Sequence, residues 1–359
     1  MNIAQQLLRP HLRNITPYAS ARRSMSGGRI WLNANESPYS RDYAIDTADL
    51  NRYPNFQSQS LNQAYADYAG VQDTQLLSHR GSDESIELLI RSFCEPGQDS
   101  IMICPPTYGM YAISAGLNNT PVVTIPLRKD DWQLDINAIK ANSQDVKVVF
   151  LCNPSNPLGN RLNPENIHAV IKHFAGQALV VVDEAYIEYA NASEDSPVSF
   201  ASYLSEYDNL VVMRTMSKAF GLAGIRVGFT LAQADVIQAL VPVLAPYPLP
   251  DLSIQVATQA LRAENLIEMR QNVIEAVGER ERMLGVLQDL PYVRKVEASS
   301  TNFILFHVDN ADALMTHCQQ AGILLRNQSA QLGLDNCIRT TIGDPAENDQ
   351  LIEALNAFA

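Results

Sequence analysis

The sequence predicts an α/β fold, with a mostly parallel central sheet in a large domain and a smaller α+β domain after it. The first observation is that short apolar runs alternate with amphipathic stretches between residues 100 and 240. Uninterrupted apolar runs are typical of parallel strands that helices cover on both faces. The second observation is a change after Leu252, where long helical periodicity replaces this alternation. The runs predict strands at IMIC (101–104), PVVTIPL (121–127), VKVVFL (146–151), ALVVVD (178–183), LVVMR (210–214) and VGFTL (227–231).

The helices of the large domain are predicted from apolar residues at helical spacing. One is expected over residues 57–69. Another follows the segment SHRGSDE, with Ser82 or Asp83 as its N-cap, because short polar side chains bind the free N–H groups of a first turn. Further helices are predicted near 108–117, 135–142, 164–174 and 233–240.

The chain beyond the large domain is expected to form a smaller unit. Residues 252–289 are predicted to be helical with few breaks, and a long helix would connect the two units. The sequence therefore divides into an N-terminal arm (1–50) that packs with the small domain, a large domain (51–251), and an interdomain helix with the small domain (252–359). Within the small domain, strands are predicted at 302–308, 323–326 and 337–343, and helices at 311–321 and 346–358.

Composition excludes several classes of function. The 359 residues carry a net charge of −13, which argues against a general binder of nucleic acid or of anionic membranes. Five scattered cysteines without metal-ligand spacing are typical of reduced thiols in a cytoplasmic protein, and no metal site is expected. No signal peptide and no membrane span is predicted.

The stretch VVMRTMSKAFGLAGIRVGF (211–229) contains the strongest candidates for functional residues. Lys218 follows a predicted buried strand and is the only lysine between Lys172 and Lys295. Desolvation lowers the pKa of such a lysine, and a neutral amine can form a Schiff base with a carbonyl. Ser217 and Arg226 add a hydroxyl and a guanidinium that can hold a phosphate. The alternative is a lysine that merely reaches the surface from a strand end.

Three other segments also lie at the ends of apolar strands, where open α/β sheets place ligands. The helix N-terminus at Ser82 and Asp83 favours a phosphate, or is an ordinary capped helix. Asn156, in NPSNPLG, offers an amide to a ligand oxygen, or lies in a plain proline-rich turn. Asp183 ends VVVD and can face a protonated ring nitrogen, with Tyr186 three residues on, or it caps the next helix.

One cofactor uses all four segments, namely pyridoxal 5′-phosphate (PLP). It needs a Schiff-base lysine, a carboxylate for its ring nitrogen, donors for its phenolate oxygen and a phosphate site. Asn156 precedes Asp183 by 27 residues, and Asp183 precedes Lys218 by 35. The four segments together therefore indicate a PLP site.

Over nearly its whole length the sequence resembles the PLP-dependent transferases of fold type I, and within them the histidinol-phosphate aminotransferase family. Several segments carry the resemblance. They are LRNITPYASARR, LNANESPY, LNRYP, SHRGSDESIELLIRSFCEPG, CPPTYGMY, NPSNPLG, VVDEAYIE, RTMSKAFGLAGIRVGF, APYPL, ILLRN and CIRTTIG. Two positions depart from the family pattern: Leu158 stands where Thr is common, and Ser37 where Asn is common.

The resemblance implies a role for each matching residue. Lys218, Asp183 and Tyr186 are the catalytic residues. Tyr53 reaches the cofactor phosphate of the neighbouring subunit, so the resemblance implies a homodimer with shared sites. The other implied cofactor contacts are Ser82, Asp83, Tyr108, Asn156, Ser217 and Arg226, and the implied substrate contacts are Tyr18, Arg326 and Arg339.

The implied reaction transfers the amino group of L-histidinol phosphate to 2-oxoglutarate and gives imidazole-acetol phosphate and L-glutamate, a step of L-histidine biosynthesis. The alternatives are an aromatic or broad-range amino-acid aminotransferase and a threonine-phosphate decarboxylase. From a different class, a PLP-binding or regulatory protein without turnover remains open.

Overall fold

The computed structural model describes residues 2–13, 15–16, 23, 25, 27–192 and 199–358. Their strands form three sheets of seven, four and two strands. The α/β class and the mostly parallel central sheet predicted from the sequence are confirmed.

The seven-stranded sheet is the centre of the molecule, in the order β2-β8-β7-β6-β5-β3-β4. Five neighbouring strands, β7 to β4 in that order, are parallel, and β8 is antiparallel to both of its neighbours. The strands are β2 (Leu76–His79), β3 (Ser100–Ile103), β4 (Val122–Thr124), β5 (Val146–Cys152), β6 (Leu179–Asp183), β7 (Leu210–Thr215) and β8 (Gly228–Ala232).

The apolar runs arise because both faces of this sheet are covered. In β6, Val180 and Val182 belong to the apolar cluster on one face, and Val181 belongs to the cluster on the other. Successive side chains of a strand point to opposite faces, so burial of both faces requires an unbroken apolar sequence.

Two features of this sheet were not predicted from the sequence. Strand β2 was missed because LLSH is short and stands directly before a strong helix signal. The strand predicted at 227–231 exists, but it is antiparallel to β7, and strand direction depends on chain connections that apolar periodicity does not report.

Helices cover the central sheet and continue into the C-terminal part. The helix predicted over 252–289 is broken at residues 261–262. In chain order the helices are α1 (Ile3–Leu7), α2 (Gln59–Ala69), α3 (Ser82–Phe93), α4 (Met110–Leu117), α5 (Ile136–Ala141), α6 (Pro164–His173), α7 (Ile187–Asn191), α8 (Ala234–Leu240), α9 (Asp251–Ala260), α10 (Ala263–Asp289), α11 (Ala311–Gln320) and α12 (Pro345–Phe358).

The N-cap predicted for α3, Ser82 or Asp83, was wrong. Gly81 is the cap, and Ser82 is the first helical residue. Gly81 has φ +73° and ψ 164°, a conformation essentially restricted to glycine. A Cβ atom there would also lie 2.6 Å from a guanidinium nitrogen of Arg226. The backbone conformation therefore requires glycine, whereas the flexible Arg226 side chain could shift to admit a Cβ atom.

A four-stranded antiparallel sheet, β12-β13-β10-β9, lies in the C-terminal part and packs on its own apolar cluster. The segment predicted as one strand at 323–326 is split between two sheets: β11 pairs in parallel with β1, and β12 joins β13. The division into an arm and two domains stays a prediction. The strands are β1 (Ile30–Trp31), β9 (Val293–Val296), β10 (Phe303–Val308), β11 (Ile323–Leu324), β12 (Arg326–Asn327) and β13 (Cys337–Thr341).

Among the described residues, no helix combines the length and the apolar character needed to cross a bilayer. All five cysteines are buried and free of disulfide bonds. In the same part of the chain no group of three His, Cys, Asp or Glu residues has a metal-binding arrangement.

Candidate active site

A cavity of about 480 Å³ lies at the carboxyl edge of the parallel strands. Strands β5 and β6 end side by side there, because Cys152 pairs with Asp183. Parallel neighbours place the side chains that follow them at one edge, so residues distant in sequence meet. Eleven of the residues predicted for the site line this cavity: Ser82, Asp83, Tyr108, Asn156, Asp183, Tyr186, Ser217, Lys218, Arg226, Arg326 and Arg339.

Lys218 projects into the cavity from the turn after β7. Its Nζ donates a hydrogen bond to the carbonyl oxygen of Ala34 at 2.8 Å and lies 5.7 Å from the centre of the Tyr186 ring. Burial, followed by the positive charge of Arg339, lowers the pKa of Lys218 to about 8. A considerable fraction of this amine is therefore neutral and nucleophilic near physiological pH.

Asp183 is buried at the end of β6. Its Oδ2 accepts a hydrogen bond from the Tyr111 hydroxyl at 2.6 Å, and its Oδ1 accepts one from the Ala185 N–H at 3.2 Å. Burial raises the pKa of Asp183 to about 6 despite these bonds. A carboxylate in this setting is stabilised by a cationic partner.

Tyr186 presents its hydroxyl to the same cavity. The side-chain amide of Asn35 donates to the Tyr186 oxygen at 2.9 Å, and that of Asn156 donates at 3.3 Å. Burial raises the pKa of Tyr186, so the phenol keeps its proton and can donate it to a third group. The arrangement offers one hydroxyl and one amide to an oxygen of a ligand.

The first turn of α3 lies next to Arg226 in the cavity. The first N–H groups of an α-helix lack partners within the helix and attract anions. Arg226 contacts the Ser217 hydroxyl at 3.3 Å and the Asp83 carboxylate at 3.5 Å. Its backbone is left-handed, with φ +55°. Backbone donors, a hydroxyl and a guanidinium thus converge at one end of the cavity.

Tyr108 lies beside this cluster. Its hydroxyl donates to Asp83 Oδ1 at 2.9 Å, and its ring meets the Tyr111 ring edge to face. The proposed stacking of Tyr108 on a cofactor ring stays a prediction.

Two further arginines, Arg326 and Arg339, line the cavity. Arg339 of β13 donates to Asn156 Oδ1 at 2.5 Å and to the Asn33 carbonyl at 3.0 Å, and its guanidinium lies 5.2 Å from the centre of the Phe303 ring. Arg326 of β12 is the strand partner directly opposite Arg339. Both therefore reach the cavity from adjacent strands of the four-stranded sheet.

Two predicted residues do not line this cavity. Tyr53 is 79% exposed and stacks on Tyr247 with ring centres 4.3 Å apart, so its role at a neighbouring subunit stays a prediction. Tyr18 lies outside the described residues. Of the two departures from the family pattern, Leu158 is fully buried in the apolar core, and Ser37 lines an adjacent pocket.

Sequence reasoning missed several groups of the site. Residues 33–36 line the cavity and supply the Ala34 carbonyl and the Asn35 amide. Tyr111 was missed as well, although it lies in the first turn of α4, only three residues after Tyr108. That spacing was the available signal for Tyr111.

A sequence profile of the family described as aminotransferase class I and II matches residues 29–355. The chain belongs to this family. PLP is the cofactor of these aminotransferases, as predicted from the sequence.

Within this family, the chain is similar to proteins that are named as histidinol-phosphate aminotransferases. This aminotransferase is 54% identical to histidinol-phosphate aminotransferase 2 of Idiomarina loihiensis, with 100% of this chain and 99% of the relative covered. It is 47% identical to the histidinol-phosphate aminotransferase of Pseudoalteromonas atlantica, with coverage of 99% and 96%.

A solved structure has the same fold. It is the histidinol-phosphate aminotransferase of Sinorhizobium meliloti in complex with pyridoxal-5′-phosphate. The TM-score is 0.85 at 23% identity, and 98% of each chain is covered. The similarity confirms the predicted fold type for this aminotransferase.

Proposed function

We propose that this aminotransferase converts L-histidinol phosphate and 2-oxoglutarate into imidazole-acetol phosphate and L-glutamate. The main support for this substrate assignment is the Arg326–Arg339 pair. These two cations lie on adjacent strands and line the cavity that contains Lys218. Two guanidinium groups suit a dianionic phosphate better than a single carboxylate. The names of relatives at 47–54% identity support the same substrate.

The residues of the cavity fit PLP. Asp183 is a buried carboxylate, and no Lys, Arg or His nitrogen of the described residues forms a salt bridge with it, so a protonated ring nitrogen would supply its missing partner. Tyr186 and Asn156 offer two donors for a phenolate oxygen. Because Gly81 has no Cβ atom, the Arg226 guanidinium can lie close to the N-terminus of α3, beside the other donors for a phosphate.

PLP, when bound, supplies an electron sink for the negative charge that develops at the substrate Cα. Asp183 keeps the ring nitrogen protonated, and Tyr186 and Asn156 hold the phenolate oxygen. Lys218 Nζ would remove the proton from the substrate Cα as general base and then deliver it, as general acid, to the cofactor carbon that accepts it. Its lowered pKa of about 8 suits both roles near neutral pH.

The same site must also accept glutamate, which has an α-carboxylate where histidinol phosphate has none. We propose that Arg339 binds an anionic group of both substrates, since a guanidinium binds carboxylate and phosphate through the same paired donors. Arg326 adds the second cation that the phosphate requires.

Product analysis tests this substrate assignment. Purified enzyme is incubated with L-histidinol phosphate and 2-oxoglutarate, and glutamate is measured against parallel reactions with phenylalanine, tyrosine and threonine phosphate. Preferred formation of glutamate from histidinol phosphate is expected. Preference for phenylalanine or tyrosine would indicate an aromatic aminotransferase, and release of CO2 without consumption of 2-oxoglutarate would indicate a threonine-phosphate decarboxylase.

Arg326→Ala should weaken the half-reaction with histidinol phosphate by about ten- to a hundred-and-fifty-fold, the value of one charged hydrogen bond. The half-reaction with 2-oxoglutarate should change little, whereas Arg339→Ala should weaken both. Single-turnover measurements of each half-reaction give the two values. The control is Arg294→Ala, since Arg294 lies in the same sheet but pairs with Asp309 at the surface. Equal losses of both half-reactions in Arg326→Ala would contradict a phosphate-specific role.

We also propose a homodimer in which Tyr53 contacts the cofactor phosphate of the other subunit. The exposed position of Tyr53, outside the cavity of its own chain, supports this role. The Tyr53–Tyr247 stack keeps the ring in place in Tyr53→Phe, so that variant loses only the hydroxyl.

Mixed dimers test the shared site. Tyr53→Phe dimers and Lys218→Ala dimers are mixed and allowed to exchange subunits at a PLP concentration that is limiting for Tyr53→Phe. Each heterodimer then contains one site with both Lys218 and Tyr53 intact, and activity should increase above the sum of the parents. If Tyr53 acts within its own chain, no intact site forms, and activity would not increase despite exchange shown by mass spectrometry.

Two further features belong to the proposal. We assign residues 1–50 to an arm, 51–251 to a large PLP-binding domain and 252–359 to an interdomain helix and small domain, which the parallel β1–β11 pair and the separate four-stranded sheet support. The enzyme is assigned to the cytoplasm, where five buried thiols remain reduced.

A further inference from the structure

Three polar side chains form a buried hydrogen-bond chain behind the first turn of α3. His79 ends β2, Thr230 lies in β8, and Ser85 lies in α3; each is fully buried. His79 Nδ1 is 3.0 Å from the Gly81 carbonyl oxygen, and His79 Nε2 is 2.9 Å from Thr230 Oγ1. Thr230 Oγ1 is in turn 2.5 Å from Ser85 Oγ.

The direction of every bond in this chain follows from its first acceptor. A carbonyl oxygen only accepts, so His79 Nδ1 carries a proton and donates it to Gly81. Burial lowers the pKa of His79 to about 4, so the ring is neutral and Nε2 accepts from the Thr230 hydroxyl. Because the Thr230 hydroxyl donates its proton to His79, it can only accept from Ser85, so the Ser85 hydroxyl is the donor. All donors and acceptors of the chain are matched.

Both ends of the chain are attached to the same helical turn. Gly81 is the N-cap of α3, and its carbonyl also accepts the Glu84 N–H at 3.1 Å, while Ser85 is the next residue along the helix. Strand β8 presses on this turn as well, since a Cβ atom at Gly228 would lie 2.7 Å from the Ser82 nitrogen. The turn is thus fixed against the sheet from its cap to its fourth residue.

We propose that His79, Thr230 and Ser85 are positioning residues for the cofactor phosphate: they hold the N–H groups of Ser82 and Asp83 in the orientation that binds it. This inference rests on the proposed function, and within it on the cofactor phosphate binding at the first turn of α3 beside Arg226. It does not depend on the amino-group donor. None of the three side chains needs to touch the cofactor, because each acts through the helical turn.

Comparison of PLP with pyridoxal, which lacks the phosphate, isolates this role. Dissociation constants of both compounds are measured on the apoenzyme by fluorescence titration. Thr230→Val keeps the shape of the side chain and removes the hydroxyl, and Thr230→Ser keeps the hydroxyl and removes the methyl group. Thr120→Val is the matched control, since Thr120 is also buried and also accepts a hydrogen bond, but lies in the turn before β4.

Thr230→Val should weaken PLP binding about three- to tenfold, the value of one hydrogen bond, and leave pyridoxal binding unchanged. Thr230→Ser and Thr120→Val should keep the wild-type ratio of the PLP dissociation constant to the pyridoxal dissociation constant. Equal weakening of PLP and pyridoxal, or a lower melting temperature with an unchanged ratio, would overturn the positioning role.

Arg226→Ala separates failure of this inference from failure of the phosphate site itself. If Arg226→Ala raises the ratio of the PLP dissociation constant to the pyridoxal dissociation constant and Thr230→Val does not, the phosphate site stands and the positioning role is wrong. If neither variant changes the ratio, the phosphate does not lie at α3, and the inference falls with it.

Discussion

Lys218→Ala should reduce turnover by more than about 10⁴-fold. Loss of proton transfer alone accounts for about 10²–10⁴-fold, and the covalent bond to the cofactor is lost in addition. The variant should still fold and bind PLP, because the phosphate site and Asp183 are intact. Steady-state turnover and the absorbance spectrum of the bound cofactor measure the two effects separately.

Lys172→Ala is the matched control for this variant. Lys172 is exposed on α6, and its removal should leave turnover and spectrum unchanged. Turnover of Lys218→Ala within tenfold of the wild-type enzyme would contradict the assignment of Lys218 as the proton-transferring residue.

Asp183→Asn should reduce turnover by roughly 10²-fold or more, the scale of removing one preorganised electrostatic group. The side chain keeps its shape and can still bond with Tyr111, but it no longer holds the ring nitrogen protonated. PLP binding should weaken less than turnover falls, because the phosphate contacts remain. Near-normal turnover would show that the charge of Asp183 does not activate the cofactor.

Asp183→Asn should lower turnover of the PLP-bound enzyme but increase the stability of the apoenzyme. Burial raises the pKa of Asp183 from its usual 3.8 to about 6. The stability that the protonated form contributes is present below about pH 4 and is lost as the pH rises through 6. At pH 8 the Asp183→Asn apoenzyme should therefore be more stable than the wild-type apoenzyme, by up to about 3 kcal/mol.

Melting temperatures of apo and PLP-bound forms at pH 5 and pH 8 test this coupling. In the wild-type enzyme the stabilisation by PLP should increase between the two pH values, because the cofactor supplies the positive charge that the ionised Asp183 lacks. The increase should be smaller in Asp183→Asn. An equal increase in both proteins would show that Asp183 is not the titrating group.

Three of the residues predicted from the sequence, Asn156, Asp183 and Lys218, lie at or shortly after the end of an uninterrupted apolar strand. Lys218 and Asp183 could be found because such runs mark buried parallel strands, and parallel strands deliver their following residues to one edge. Their spacing along the chain then matched the groups that PLP requires. This part of the site depends on local pattern and on one rule of topology.

The remaining groups depend on contacts that local pattern does not contain. His79 and Thr230 are 151 residues apart and meet only because β2 pairs with β8, and neither that pairing nor β2 itself was predicted. Asn35 reaches Tyr186 across the same number of residues. The N-cap of α3 was misjudged because Gly81 occupies it in a glycine-specific backbone conformation, without the side-chain hydrogen bond that the capping preference assumes.

Reduction with borohydride followed by peptide mapping identifies the lysine that binds the cofactor. The chain contains six lysines, at positions 129, 140, 147, 172, 218 and 295, and of these only Lys218 lines the cavity. Reduction of the PLP-bound enzyme should fix one cofactor per chain on the peptide that contains Lys218. A cofactor fixed on any of the other five lysines would show that Lys218 is not the Schiff-base residue.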